Sequence, residues 1–236
     1  MNKRCFVVII FLMIFSVLGW SEVYVHDSFD NALGSLNNTR PDGFQKAKAK
    51  TAWWKDDSSS FVRKDGALLC AGEQPATCAV MLPAIEKGQK ISVCVLADPS
   101  SISDTGKIHF GLSSHRKYVK AKGGQVWVSL WLPPGKQSGV VFVYGGDGRT
   151  RHLLAKQTGV KFDRPVTLSY STVDGAVEVL SGDSSIYEGP VTYNGLEGHV
   201  VPLENIKCVG FEFDGVAGSD CSEQAEVSEI EIKIEK

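Results

Sequence analysis

The sequence lacks the short motifs that mark common enzyme and metal chemistries. It has no Cys-x-x-Cys pair and no paired Cys and His spacing, which argues against a structural zinc site. It has no Gly-x-Ser-x-Gly turn, so nothing in it predicts a serine hydrolase. The glycine-rich run 145–148 precedes no segment typical of a phosphate-binding helix, and it indicates a hairpin turn instead. The sequence therefore carries no complete catalytic or cofactor motif.

An excess of positive charge is also missing. The chain has 25 Lys and Arg against 27 Asp and Glu, a formal charge of −2. A nucleic-acid-binding protein usually shows a clustered excess of Lys and Arg, so we expect no nucleic-acid partner. A small basic segment over residues 115–122 fits a solvated loop better than a site for an anionic polysaccharide.

Only the N-terminus carries a long apolar run. Lys3 and Arg4 precede the apolar stretch Phe6–Leu18, and the small residues Gly19 and Ser21 follow it. These are the three parts of a secretory signal peptide. The run is shorter than the roughly 20 residues of a membrane-spanning helix, which favours cleavage over an uncleaved anchor.

This pattern predicts a signal peptide over residues 1–21 and a single mature domain over residues 22–236. We expect the mature domain to be secreted or to lie in the periplasm or cell envelope, with no membrane span of its own. Removing the signal peptide takes away Lys3 and Arg4, which leaves a formal charge near −4. A mature chain of this length fits one large β domain.

An odd number of cysteines remains after the predicted cleavage. An exported chain meets an oxidising compartment, so disulfides are expected, with one cysteine left over. We favour a Cys70–Cys78 bridge, because these residues flank a short loop between two predicted strands. A second bridge, Cys208–Cys221, would span the last loop. Other pairings remain open.

Alternation of apolar and polar residues with a period of two dominates the mature chain, and helical periodicity is nearly absent. Asp65-Gly66 and Asp174-Gly175 separate β-rich segments and suit tight hairpin turns. Strands with one strongly apolar face are typical of two packed sheets. We predict an all-β fold, a two-sheet antiparallel β-sandwich. The alternating runs are residues 91–97, 108–112, 126–132, 208–213 and 229–234.

Three stretches resemble the concanavalin-A-like lectin/glucanase superfamily, in particular laminin-G-like domains of bacterial secreted proteins. They are Asp27–Gly43 with the TAWW that follows, the hairpin Val166–Gly189, and the closing segment Val209–Glu235. The resemblance implies a jelly roll in which the first and last strands pair and ligands lie on the concave sheet. Ser228 stands where the family usually has an aspartate that supports a structural calcium ion. Calcium therefore stays open, and we expect no other cofactor.

The candidate ligand-binding residues share one face of their strands. Trp127 and Trp131 lie four residues apart, about 13 Å along a strand, a spacing comparable to that of alternate sugar rings. His109, Glu212 and Asp214 have the same phase relative to the apolar residues of their own strands. We predict a surface that binds carbohydrate or glycoconjugate. A second buried layer of aromatic residues is the competing interpretation.

Catalysis has only fragments of support. Glu212-Phe-Asp214 begins the E-x-D-x-x-E pattern of family 16 glucanases, but Ala217 stands where the last glutamate belongs. Lys107-Ile-His109 is the one hint of a polysaccharide lyase. The sequence thus favours a non-catalytic recognition domain whose partner is a polysaccharide or glycoprotein. The alternatives are a structural or protein-interaction domain of the cell envelope, and then a glycoside hydrolase or polysaccharide lyase.

Overall fold

A computed structural model describes the greater part of residues 22–236. The described residues are 22–30, 34–36, 39, 41, 43–44, 54–55, 61–70, 76–99, 107–114, 124–146, 151–191, 203, 205–214 and 226–236. The predicted signal peptide, Trp53, the basic segment 115–122, Ala217 and Cys221 lie outside them. The division into a signal peptide and one domain therefore stays a prediction.

The described residues form 17 strands in two sheets, and no helix. The ten-stranded sheet contains β1 (Glu22–Asp27), β2 (Gly34–Ser35), β3 (Gly43–Phe44), β5 (Phe61–Lys64), β6 (Ala67–Cys70), β8 (Lys90–Asp98), β13 (Val166–Ser171), β14 (Ala176–Ser181), β15 (Ser184–Pro190) and β17 (Glu226–Glu235). The seven-stranded sheet contains β4 (Trp54–Lys55), β7 (Ala76–Met81), β9 (Lys107–Ser113), β10 (Gly124–Trp131), β11 (Gly139–Gly146), β12 (Arg151–Val160) and β16 (Cys208–Asp214).

The strand order confirms an antiparallel sandwich. The ten-stranded sheet runs β15-β14-β13-β8-β17-β6-β5-β2, with β1 joining β17 and β3, and the seven-stranded sheet runs β12-β11-β10-β9-β16-β7-β4. All these pairings are antiparallel. The first and last strands pair as the resemblance implies, with Asp27 opposite Ile230. Within the described ranges, no helix is long and apolar enough to span a bilayer.

The apolar faces of the two sheets meet in one core. Ile91, Val93 and Val95 of β8 are buried there, as the alternation in the sequence predicts. Phe110 of β9 and Phe211 of β16 face them from the seven-stranded sheet. Because successive side chains point to opposite sides of a strand, the intervening residues of this sheet lie on its other side, which we call the outer face. They include Lys107, His109, Trp127, Ser129, Phe142, Tyr144, Glu212 and Asp214.

The predicted turn at Asp65-Gly66 is a two-residue hairpin between β5 and β6. Both residues have positive φ, 52° for Asp65 and 74° for Gly66. This backbone matches the twist of the flanking strands, which is why Asp-Gly is favoured in such turns. The turn therefore sets the register in which Lys64 lies opposite Ala67.

A buried carboxylate holds the first strand to the core. Asp27 accepts a hydrogen bond of 3.0 Å from the backbone N–H of Phe29 and one of 2.7 Å from Nε1 of Trp54. The Trp54 ring packs against Phe29 and Phe211, with ring centroids 5.9 and 5.8 Å away. Trp54 is thus a core residue, and Asp27 has a structural role in the opening segment.

Candidate functional site

The outer face is organised in rows that cross neighbouring strands. Trp127 of β10 lies opposite Gly111 of β9 and Tyr144 of β11. Two residues further along β10, Ser129 lies opposite His109 and Phe142. The register therefore places an aromatic row beside a polar group, although these residues are far apart in the sequence.

Trp127 is buried on this face. Its side chain is 1% exposed, and its ring stacks on Tyr144 with centroids 5.4 Å apart and an interplanar angle of 19°. The residue opposite must be glycine: a Cβ on Gly111 would lie 2.5 Å from the Trp127 Cβ and 2.2 Å from the Val126 carbonyl oxygen. The buried indole Nε1 has no hydrogen-bond partner within the described part of the chain.

The pair of exposed tryptophans expected from the sequence is therefore not what the structure shows. Trp131 is half-buried at the end of β10, whereas Tyr144 covers the ring of Trp127. Periodicity gave the correct side of the strand for both residues but could not reveal the stacking partner on β11. Their part in ligand binding stays a prediction.

β11 adds two aromatic side chains to the half-buried Trp131 of the outer face. Phe142 and Tyr144 are both half-buried, and their rings lie nearly parallel with centroids 6.1 Å apart and an interplanar angle of 18°. Sequence reasoning missed this pair. The signal was available, because the segment 140–144 (VVFVY) alternates with the same period as β10. We call Phe142 and Tyr144 the aromatic platform.

Three cations surround the aromatic platform. Nζ of Lys107 lies 4.8 Å and Nζ of Lys156 lies 5.6 Å from the centroid of Phe142. The guanidinium carbon of Arg151 lies 5.8 Å from the centroid of Tyr144. These distances are within the range in which the negative face of a ring attracts a cation.

A polar cluster of His109, Glu212 and Asp214 lies on the same face. One potential ligand atom from each of these residues comes within 4.8 Å of the others. His109 Nδ1 is 2.6 Å from Ser129 Oγ, and its Nε2 is 3.9 Å from Asp214 Oδ2. His109 and Glu212 are buried and Asp214 is half-buried. The structure therefore brings together the three polar residues that the sequence singled out.

Comparison with solved structures relates this sandwich to known folds. The CBM2 module of the Lactobacillus casei BL23 phage J-1 evolved Dit superposes with a TM-score of 0.52 at 11% identity, covering 91% of this chain and 96% of that one. The metal-free carbohydrate recognition domain of Emp46p gives 0.51 at 14%, covering 86% and 98%. Its potassium-bound form gives 0.51 at 15%, covering 84% and 95%. The fold is concanavalin-A-like.

This confirms the fold expected from the sequence, while membership of the superfamily and the narrower laminin-G-like resemblance stay predictions. At such low identity the similarity shows the fold alone. No protein-family model matches the sequence, and no curated protein does.

The polar cluster of this concanavalin-A-like sandwich has the composition of a cation site. One imidazole nitrogen and two carboxylates are ligands that zinc, manganese and iron accept. Calcium prefers six to eight oxygen ligands, which makes this cluster a poorer match for it. At the position where the resemblance implies a calcium-supporting aspartate, the Ser228 hydroxyl donates a hydrogen bond of 3.3 Å to the Leu96 carbonyl.

Three of the described cysteines lie in two different places in the concanavalin-A-like sandwich. Cys70 of β6 and Cys78 of β7 are both buried in the core, one from each sheet, so their predicted bridge would cross between the sheets. The Cys208 thiol donates to the Ser113 carbonyl at 3.9 Å, and burial raises its pKa to about 12. Both bridges stay predictions.

Proposed function

We propose that the outer face of the seven-stranded sheet binds carbohydrate, either in a polysaccharide or on a glycoprotein. The observation that carries this proposal is the half-buried aromatic platform beside the polar cluster. A flat ring can contact the apolar C–H face of a sugar, while the half-buried carboxylate of Asp214 can bond its hydroxyl groups. Ligand sites commonly combine such an apolar surface with a few placed polar groups.

The comparisons support this proposal. The matched domain of Emp46p is named a carbohydrate recognition domain, and it shares the fold of this chain over nearly its full length. One fold can serve many functions, so the proposal for this chain depends on the geometry of the outer face.

A substitution in the aromatic platform tests the proposal. Binding of soluble neutral and charged polysaccharides to the mature domain is measured by calorimetry for the unchanged protein and for Tyr144→Ala. Tyr187→Ala is the matched control, because Tyr187 is also a half-buried tyrosine but belongs to the other sheet. We expect Tyr144→Ala to lose affinity at least about tenfold and the control to keep it. Absence of binding across the panel by the folded, unchanged protein would contradict the proposal and favour a structural or protein-interaction role.

We also propose that His109, Glu212 and Asp214 hold a divalent cation of the zinc or manganese type. A bound cation would neutralise the two carboxylates and could orient sugar hydroxyl groups. The geometry supports this, because one potential ligand atom from each of the three residues lies within 4.8 Å of the others.

Glycoside hydrolysis is the second candidate function. Glu212 and Asp214 each place a carboxylate oxygen within 4.8 Å of the other, and retaining glycosidases use two carboxylates about 5 Å apart. A reducing-end assay on the same polysaccharide panel, with Glu212→Gln as the inactive variant, tests it. Sugar release that persists in Glu212→Gln would exclude this carboxylate as the catalytic group.

We further propose that residues 1–21 direct export and are then removed. N-terminal sequencing of the protein recovered from its native compartment tests this. Cleavage is expected after Ser21 or after Gly19, which gives a mature N-terminus at residue 22 or 20, whereas recovery of the intact N-terminus would contradict cleavage.

A further inference from the structure

We propose that the carbohydrate bound at the aromatic platform is acidic, with carboxylate or sulfate groups that the cations around the platform receive. This inference rests on the proposed function and adds the class of sugar. It follows from which charges surround Phe142 and Tyr144.

The cations reach the platform from both sides. Lys156 lies on β12 directly opposite Phe142, and Lys107 reaches the same ring from β9, two strands away. Arg151 of β12 lies over Tyr144. Three cations thus converge on two neighbouring rings. Their mutual repulsion is unfavourable, and an anion bound among them would relieve it.

The two cations of β12, Arg151 and Lys156, have no ion-pair partner among the residues that the structure describes, and both are exposed. The sequence from residue 148 to residue 162 contains no Asp or Glu. Asp214 lies opposite Lys107 at the other side of the face. The carboxylates of the outer face therefore lie on β16 and the cations of β12 lie across the sheet from them, with three strands between.

The same region contains a buried donor. The Nε1 group of Trp127, whose ring stacks on Tyr144, has no acceptor in the described part of the protein. A buried N–H without a partner is unfavourable, so an acceptor supplied by a ligand would be favoured there. Carboxylate and sulfate oxygens are strong acceptors, which agrees with the charge of the platform.

Protection of a sheet edge is the competing explanation for the basic residues of β12. This strand lies at the edge of the seven-stranded sheet, and lysines at edges discourage pairing between molecules. Edge protection does not account for Lys107, which belongs to an interior strand and still lies over Phe142. An acidic ligand, in contrast, explains why cations from both β9 and β12 lie around the two rings.

Matched polymers test the inference. Calorimetry on the mature protein compares polygalacturonate with its methyl ester and dextran sulfate with dextran, so that each pair shares its sugar backbone and only one member is charged. We expect at least one charged polymer to bind about tenfold more tightly than its uncharged partner, and which pair responds distinguishes carboxylate from sulfate. Lys156→Gln and Arg151→Gln should each weaken that binding about tenfold. Lys87→Gln, which removes an exposed cation in a turn, should leave it unchanged.

Three other results are possible, and each would overturn a different part of the proposal. Equal affinity for charged and uncharged polymers would overturn the acidic class and leave the proposed function standing. An equal loss of affinity in Lys87→Gln and Lys156→Gln would show that the charge of the whole surface attracts the polymer. That result would overturn the aromatic platform as the site of binding. No binding to any of the four polymers, by protein that remains folded, would overturn both proposals.

Discussion

Nδ1 of His109 lies 2.6 Å from Oγ of Ser129 on the neighbouring strand, and the two residues are directly opposed in the register. This contact holds the imidazole in one orientation and leaves Nε2 on the side of Asp214, 3.9 Å from its carboxylate. Histidines that bind metals usually anchor their second ring nitrogen in this way. Ser129 is therefore a positioning residue for the polar cluster.

Removing this anchor should weaken cation binding. We expect Ser129→Ala to reduce the affinity for zinc or manganese about tenfold or more, measured by calorimetry on protein first treated with a chelator. Glu212→Gln should reduce it further, because it removes a proposed ligand. Ser92→Ala is the control, since Ser92 bonds to Ser169 in the other sheet at 2.8 Å. Unchanged affinity in Glu212→Gln would rule out this cluster as the cation site.

The close approach of β9 and β10 at Gly111 should make that residue irreplaceable. We expect Gly111→Ala to lower the free energy of unfolding by at least about 2 kcal/mol, because its Cβ would overlap the Val126 carbonyl and the Trp127 Cβ. The near-ultraviolet circular dichroism of the stacked Trp127 should change as well. Gly135→Ala, where nothing lies within 4 Å, should cost only about 1 kcal/mol from its positive φ of 69°. Equal effects of the two substitutions would contradict this account.

The buried carboxylate of Asp27 should contribute strongly to stability. Asp27→Ala removes the acceptor for both the Phe29 N–H and the Trp54 Nε1–H, so two buried donors lose their partner. We expect a loss of about 2–4 kcal/mol in urea unfolding. Asp163→Ala, at an exposed aspartate, should change stability by less than about 0.5 kcal/mol. If both variants unfold at the same urea concentration, the carboxylate does not hold β1 to the core.

The thiol of Cys94 should react slowly at neutral pH and faster as the pH rises. Burial is the largest cause that raises its pKa, and the neighbouring carboxylates of Glu231 and Glu229 add to it, while a hydrogen bond with Thr167 opposes the shift. Since the thiolate is the nucleophile, its rate of alkylation should increase about tenfold per pH unit below the raised pKa. Mass spectrometry of native protein treated with iodoacetamide measures this, with Cys94→Ser as control. A rate that levels off at neutral pH would contradict the raised pKa.

The cysteine bridges remain a separate test of the sequence. Peptide mapping without reductant should recover Cys70 joined to Cys78 if the predicted core bridge forms. The pairing of Cys208 with Cys221 is read from the same map.

Much of the fold could be predicted because β structure has a local signature. The alternation at residues 91–97 and 229–234 identified two strands and also their core-facing side chains. These are Ile91, Val93, Val95 and Ala97 in one strand, and Ile230, Ile232 and Ile234 in the other. Asp65-Gly66 identified a hairpin because positive φ is a property of those residues themselves. The same local rule placed His109, Trp127 and Glu212 on one side of their strands.

The candidate site was only partly predictable, since it depends on contacts between distant residues. Periodicity placed Trp127 outside the main core, but the ring of Tyr144 decided that it would be buried. Phe142 became important only because Lys107 and Lys156 meet its ring from separate strands. Nothing near residue 142 in the sequence indicates these two partners.

By itself, the sequence determined the strands, their apolar faces and several tight turns, because these follow from the period of two and from backbone preferences within a few residues. Only the tertiary structure decided that His109 meets Ser129 and Glu212, that the aromatic platform lies between three cations, and that Cys70 and Cys78 come from opposite sheets. The register between strands and the packing of two sheets are set by all their contacts together, so no single segment encodes them.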